Sequence, residues 1–110
     1  MLTITESRDG GLVTLVLDGE LDLSTHADMA AALDKAIMTG ETVHIECDRL
    51  RFCDSTGVYT LLQAHRKARG EGVSMRLVGV RGIVLRVLRI CGAMQILDGS
   101  AEPPRVVDET

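Results

Sequence analysis

The chain has 110 residues, 45% hydrophobic and 25% charged, with net charge −4, which makes it one ordinary globular domain with a modest core rather than a disordered chain. No apolar run approaches a membrane span, and the start Met1-Leu2-Thr3-Ile4-Thr5 lacks the basic-then-apolar pattern of a secretory leader, so the expected compartment is the cytoplasm. Three cysteines without paired spacing, three scattered histidines, one Phe, one Tyr and no Trp argue against a disulfide framework, a metal site and a stacking platform for nucleic acid.

Leu2 to Thr5 alternates apolar and polar, Asp9-Gly10-Gly11 turns, and Leu12 to Leu17 continues, which reads as a β-hairpin. The second run is nearly all apolar, as in a strand that is covered on both faces or lies centrally in a sheet. Asp18 to Ser24 reads as a loop. Thr25-His26-Ala27-Asp28 has the form of a capping box opening a helix with Ala27, Ala30, Leu33 and Ile37 as its apolar stripe, ended by Gly40.

Thr42 to Cys47 alternates again, with Val43, Ile45 and Cys47 on one face, and Asp48 to Asp54 reads as a connector. A second helix begins at Ser55, with Val58, Leu61, Leu62 and His65 on one face, and stops at Gly70 and Gly72. Ser74 to Val78 is a further strand. Arg81 to Ile90 is a third helix with Ile83, Val84, Val87 and Leu88 inward, and Met94 to Leu97 suits a short edge strand. Residues 1–99 form the domain, and Ser100 to Thr110, with Pro103-Pro104, reads as a flexible tail. The order implies an α/β fold: a mixed, mostly parallel sheet of four to five strands with three main helices.

Between Arg66 and Arg89 lie seven basic residues and one acid, Glu71, which reads first as a solvated basic face. With the chain acidic as a whole and no recognition motif in view, direct nucleic-acid binding is not expected.

The stretch Arg51-Phe52-Cys53-Asp54-Ser55-Thr56-Gly57 carries the chemistry. Ser55 falls where a helix N-cap belongs, beside the free N–H groups of the first turn, a place that suits either a simple cap or a phosphate. A tyrosine-phosphatase loop built on Cys53 would need an Arg where Tyr59 stands. Cys53-Asp54-Ser55-Thr56-Gly57 is not the G-x-S-x-G turn of a serine hydrolase. Asp48 or Asp54 could follow a parallel strand as in a response-regulator receiver, yet Glu6-Ser7-Arg8-Asp9 is a poor substitute for the paired metal-holding acids such a domain needs. No P-loop or dinucleotide glycine pattern is present. His65 reads as a satisfied, partly buried histidine and Cys53 as a small buried side chain.

Gly19-Glu20-Leu21-Asp22 with Thr25, Phe52-Cys53-Asp54-Ser55-Thr56-Gly57-Val58, and the stretches Gly72 to Val78 and Leu85 to Gly92 together resemble the bacterial anti-sigma-factor antagonists of the STAS domain family, in matching order over roughly residues 1–98. The resemblance implies that Ser55 is phosphorylated by a partner anti-sigma factor that is also a serine kinase. It implies too that Glu20, Asp22, Asp54, Ser55, Thr56 and Gly57 form the docking surface, and that a separate phosphatase acts on phospho-Ser55. The domain itself would be no enzyme and need no cofactor; a non-switching STAS scaffold in another signalling or transporter-associated complex is the alternative. Thr56 stands where a serine is common, and Val80-Arg81-Gly82 lacks a proline often found there.

Overall fold

Two rows of aliphatic side chains run across the sheet and explain its order. Val13, Val43 and Met75 pair in one row, and Leu15, Ile45 and Leu77 in the next; all six are buried. The computed structural model describes residues 1–97. Its elements are β1 (Leu2–Asp9), β2 (Leu12–Leu21), α1 (His26–Ile37), β3 (Thr42–Cys53), α2 (Ser55–Gly70), β4 (Met75–Val78), α3 (Gly82–Ile90) and α4 (Met94–Leu97). The strand order is β1-β2-β3-β4. β1 pairs antiparallel with β2, and β2, β3 and β4 run parallel. The helical crossovers between the parallel strands place the apolar faces of α1 and α2 over the buried side of the sheet.

β2 lies centrally, but its side chains alternate between buried and half-buried, so among the described residues the opposite side of the sheet is only partly covered. Met29, Leu33, Ala36 and Ile37 are the buried positions of α1. The predicted stripe therefore holds at Leu33 and Ile37 and fails at Ala27, which is exposed; alanine carries too little apolar area to fix a helix face. The predicted capping box does not form, because Thr25 makes no side-chain cap bond to the helix. In α2, Thr60 joins the buried face with Val58, Leu61, Ala64 and Ala68. In α3, Val84 and Leu88 are buried while Ile83 is 52% exposed, so one residue expected inward faces out. Met94–Leu97 is a single helical turn, not an edge strand.

The largest departure is at the ends of β2 and β3. Asp18 to Leu21, read as a loop, belongs to β2, and Asp48 to Cys53, read as a connector, belongs to β3. The pairing slips between Val16 and Asp18 and again between Gly19 and Glu20. At each slip β3 carries one residue more than β2, the signature of a β-bulge. Inward positions then fall at Cys47, Leu50 and Cys53 instead of at every second residue. Gly19 accommodates the irregularity with φ of 131°, and a side chain there would strike the Met1 carbonyl. The predicted tail, residues 100–110, lies outside the described residues.

His65 is 9% exposed, and its ring makes no hydrogen bond among the described residues. Desolvation, helped by Arg69, therefore pushes its pKa below the ordinary histidine value. Buried it is; the polar partner expected for it is not found among the described residues.

Candidate functional site at the ends of β2 and β3

The bulges bring the two predicted halves of the site together. Glu20 pairs with Phe52 and Leu21 with Cys53, and the Asp54 N–H donates to the Leu21 carbonyl at 3.2 Å. Chain leaves β2 into the Asp22 loop and leaves β3 into α2 side by side, at the carboxyl edge of a parallel sheet, where ligands of α/β folds commonly sit.

Asp54, not Ser55, is the N-cap of α2. Its backbone is extended (φ −95°, ψ −175°) and its carboxylate accepts from the Gly57 N–H at 2.9 Å. Ser55 is the first helical residue, exposed, and its hydroxyl enters no hydrogen bond among the described residues. Thr56 is half-buried, and its carbonyl accepts from the Thr60 hydroxyl at 2.9 Å. The first turn of α2 contains no acidic side chain, so the positive end of the helix is offset only by the cap. Replacing Asp54 by Ala is expected to destabilise the fold by about 1 kcal/mol, with Asn close to wild type because it retains the acceptor; urea unfolding of the two variants measures this.

The loop carboxylates are spoken for. Asp22 Oδ1 accepts from the Ser24 hydroxyl at 2.8 Å and the Ser24 N–H at 3.0 Å. These bonds, the side-chain one first, hold its pKa below the ordinary aspartate value. Thr25, 7% exposed, accepts from the Asp22 N–H and donates to the Glu20 carbonyl, both at 2.9 Å; the threonine shapes this loop rather than capping α1. Glu20 accepts from the Met1 amino group at 2.9 Å and from Arg51 at 3.4 Å, which lowers its pKa, the amino-group bond foremost. Arg51 also bonds Asp18 at 3.1 Å. Neither Glu20 nor Asp22 hydrogen-bonds to Asp54 or Ser55 among the described residues. The two halves share a surface without forming one polar network.

A family model described as "Mlab, STAS domain" matches residues 4–98. The chain belongs to the STAS domain family. Solved structures place the same fold in proteins of different kinds. A putative anti-sigma factor antagonist from Thermotoga maritima superposes with a TM-score of 0.78 at 16% identity, over 86% of this chain and 83% of that one. Bacillus SpoIIAA in its phosphorylated form gives 0.63 at 24% identity, over 83% of this chain and 85% of that one. The murine anion transporter Slc26a9 gives 0.72 at 16% identity, over 86% of this chain but only 16% of that one. The sequence has no match among curated proteins.

Within this STAS domain, Gly57, a predicted site residue, and Cys53, read from the sequence as a small buried side chain, both serve packing. Gly57 is buried, and a Cβ there would stand 2.7 Å from Cys53 Sγ and 2.9 Å from the Leu21 carbonyl oxygen; it is a spacer that lets α2 approach β2. Cys53 is 1% exposed, and burial pushes its thiol up to about 12, so it offers no thiolate at neutral pH. Three exposed apolar side chains went unnoticed in the sequence: Leu23 at 72%, Phe52 at 41% and Tyr59 at 63%. They lie on the Asp22 loop, at the end of β3 and one turn beyond Ser55. The chain's sole Phe and sole Tyr are both there, a signal that could have been used. Exposed apolar residues on the same chain segments as a small polar spot suit a protein interface better than a small-molecule pocket.

Proposed function

We propose that the protein is an anti-sigma-factor antagonist whose unphosphorylated form binds an anti-sigma factor kinase and frees a sigma factor, and that phosphorylation of Ser55 releases that partner. The carrying observation is the Ser55 hydroxyl: exposed, uncommitted to the fold, and at the first position of a 16-residue helix. A phosphate there adds about −1.5 to −2 charge and three acceptor oxygens. The positive helix end favours such an anion within the protein by roughly 0.3–1 kcal/mol. A partner surface fitted to a bare hydroxyl beside Asp54 gains nothing comparable and must desolvate two neighbouring anions. The switch therefore works by changing the surface, with no change of fold.

That SpoIIAA, which shares the fold, has been solved in unphosphorylated and phosphorylated forms supports the reading. Partner contacts come from Ser55, Asp54, Thr56 and the Glu20–Asp22 edge, with ATP bound by the kinase and a phosphatase resetting the serine in a bacterial cytoplasm. Incubated with ATP and the kinase-like protein that it retains from its own cell extract, wild-type protein is expected to gain one phosphate by intact mass and Ser55→Ala none. A second reading, a non-switching STAS module, draws on the presence of the fold within an anion transporter. An unchanged wild-type mass would sink the switch and favour that module.

A further inference from the structure

Between α1 and α2 an open groove of about 570 Å³ begins at the proposed switch and runs away from it. Ala30 of α1 and Ala64 and Thr60 of α2 leave room along it; Thr56 and the exposed Tyr59 stand at the Ser55 end. On α2 its lining extends from Thr56 to Lys67, about 16 Å at 1.5 Å per residue. At the far end Lys67 bonds Asp34 of α1 at 3.1 Å, and the exposed Arg66 has no ion pair among the described residues.

Several features narrow the occupant. Helix flanks offer no free backbone donors or acceptors, so an extended segment in this groove would leave its own peptide groups unpaired, whereas a helix arrives with them satisfied. The starts of α1 and α2, at His26 and Thr56, line the same groove, and Asp34 meets Lys67 further along, so the two helices run side by side in the same direction. A third helix lying antiparallel opposes both dipoles, with its N-terminal turn at the basic end and its carbonyl end at Ser55. Acidic side chains, at home in a helix's first turn, then meet Arg66 and Lys67. A second copy laying its α2 antiparallel in this groove would bring to Arg66 a first turn that holds no acidic side chain.

We infer that the α1–α2 groove receives one amphipathic helix of the partner kinase, antiparallel to α1 and α2, with its acidic first turn on Arg66 and its C-terminal end against Ser55. This rests on the proposed function and sharpens it. A phosphate on Ser55 would face the negative end of the incoming helix, so release and docking share one geometry.

The test uses the full chain and the kinase that wild type retains, purified, with dissociation constants from calorimetry. Ala30→Trp, which fills the groove, and Arg66→Glu, which is exposed and leaves the fold alone, are each expected to weaken binding about tenfold or more, an effect of one to two interface contacts. A photocrosslinker at Gln63 is expected to mark a partner helix with Asp or Glu in its first turn, and exchanging that acid for Arg should restore binding to Arg66→Glu. Wild-type affinity in both groove variants, a crosslink to a second copy of this chain, or a crosslink to a non-helical or basic segment overturns the inference. If Ser55→Asp loses the kinase in that case, the switch still stands. If the groove variants lose it and Ser55→Asp does not, the groove stands and the switch falls. Retention of no partner by wild type overturns both.

Discussion

Ser55→Asp is expected to weaken partner binding about 100-fold or more, corresponding to roughly 3 kcal/mol, while Ser55→Ala binds like wild type. The fold itself should notice neither change. Ser55 is exposed and its hydroxyl has no partner within the described protein, so Ala removes no hydrogen bond. A carboxylate at the first position of α2 is favoured by the helix end, by about 0.3–1 kcal/mol. Thermal melts should therefore place Ser55→Asp level with wild type or slightly above it. That separation makes the experiment decisive, because lost affinity cannot be ascribed to unfolding. The interface term comes from a second anion beside Asp54, whose carboxylate is held by the Gly57 N–H and cannot swing away without uncapping the helix. Juxtaposed like charges at an interface cost several kcal/mol, and phosphate, with its larger charge, should act more strongly than Asp. Equal dissociation constants for wild type, Ser55→Ala and Ser55→Asp would remove the switch.

How much of the site was legible depended on position along the chain. Asp54 and Ser55 are both capping residue types, and periodicity places a helix start only to within a residue or two. The one-residue error was decided by Asp54's extended backbone and its bond to Gly57. The convergence of Asp22 with Ser55 was readable only by resemblance. Physically it depends on two bulges that lengthen β3 relative to β2, and a bulge leaves no periodic trace. The role of Glu20 was likewise hidden, because its carboxylate is engaged by Met1 and Arg51, partners set by folding; the Asp22 carboxylate is held by Ser24, two residues on, in a local turn.

The sheet order was legible because Val13, Leu15, Val43, Ile45, Met75 and Leu77 keep a clean two-residue period over the part of the sheet that is regular. It ceased to be legible where the period breaks, at Asp18-Gly19-Glu20 and at Leu50 to Cys53. Polar and glycine residues there imitate a loop, although the backbone stays paired. The facing of α1 was blurred by its alanines, and α4 is too short at four residues to show a helical period at all.

Gly57→Ala is expected to destabilise the domain by about 1–3 kcal/mol, the usual penalty for overfilling a packed site, and to lower its melting point by about 10 °C. Intrinsic propensity argues the opposite, since Gly to Ala inside a helix normally stabilises by about 0.5–1 kcal/mol. Packing wins here because the new methyl would meet Cys53 Sγ at 2.7 Å, Leu21 Cγ at 2.8 Å and the Leu21 carbonyl oxygen at 2.9 Å. Two of these atoms belong to fully buried side chains and the third to paired backbone, so none can retreat cheaply. Gly70, near the other end of α2, is the internal control: nothing lies within 4 Å of a Cβ there, so Gly70→Ala should gain the propensity term and melt higher than wild type. Opposite signs for the same substitution in one helix isolate the contact from the propensity. The contact has a functional edge as well. If α2 yields to the methyl by lifting away from β2, Ser55 moves relative to the Asp22 loop, and phosphorylation by the kinase should slow even at temperatures where Gly57→Ala remains folded. A melting point for Gly57→Ala at or above that of wild type would mean that α2 does not press on β2 at this point, and the juxtaposition of the two site segments would rest on the strand pairing and the Asp54 to Leu21 bond alone.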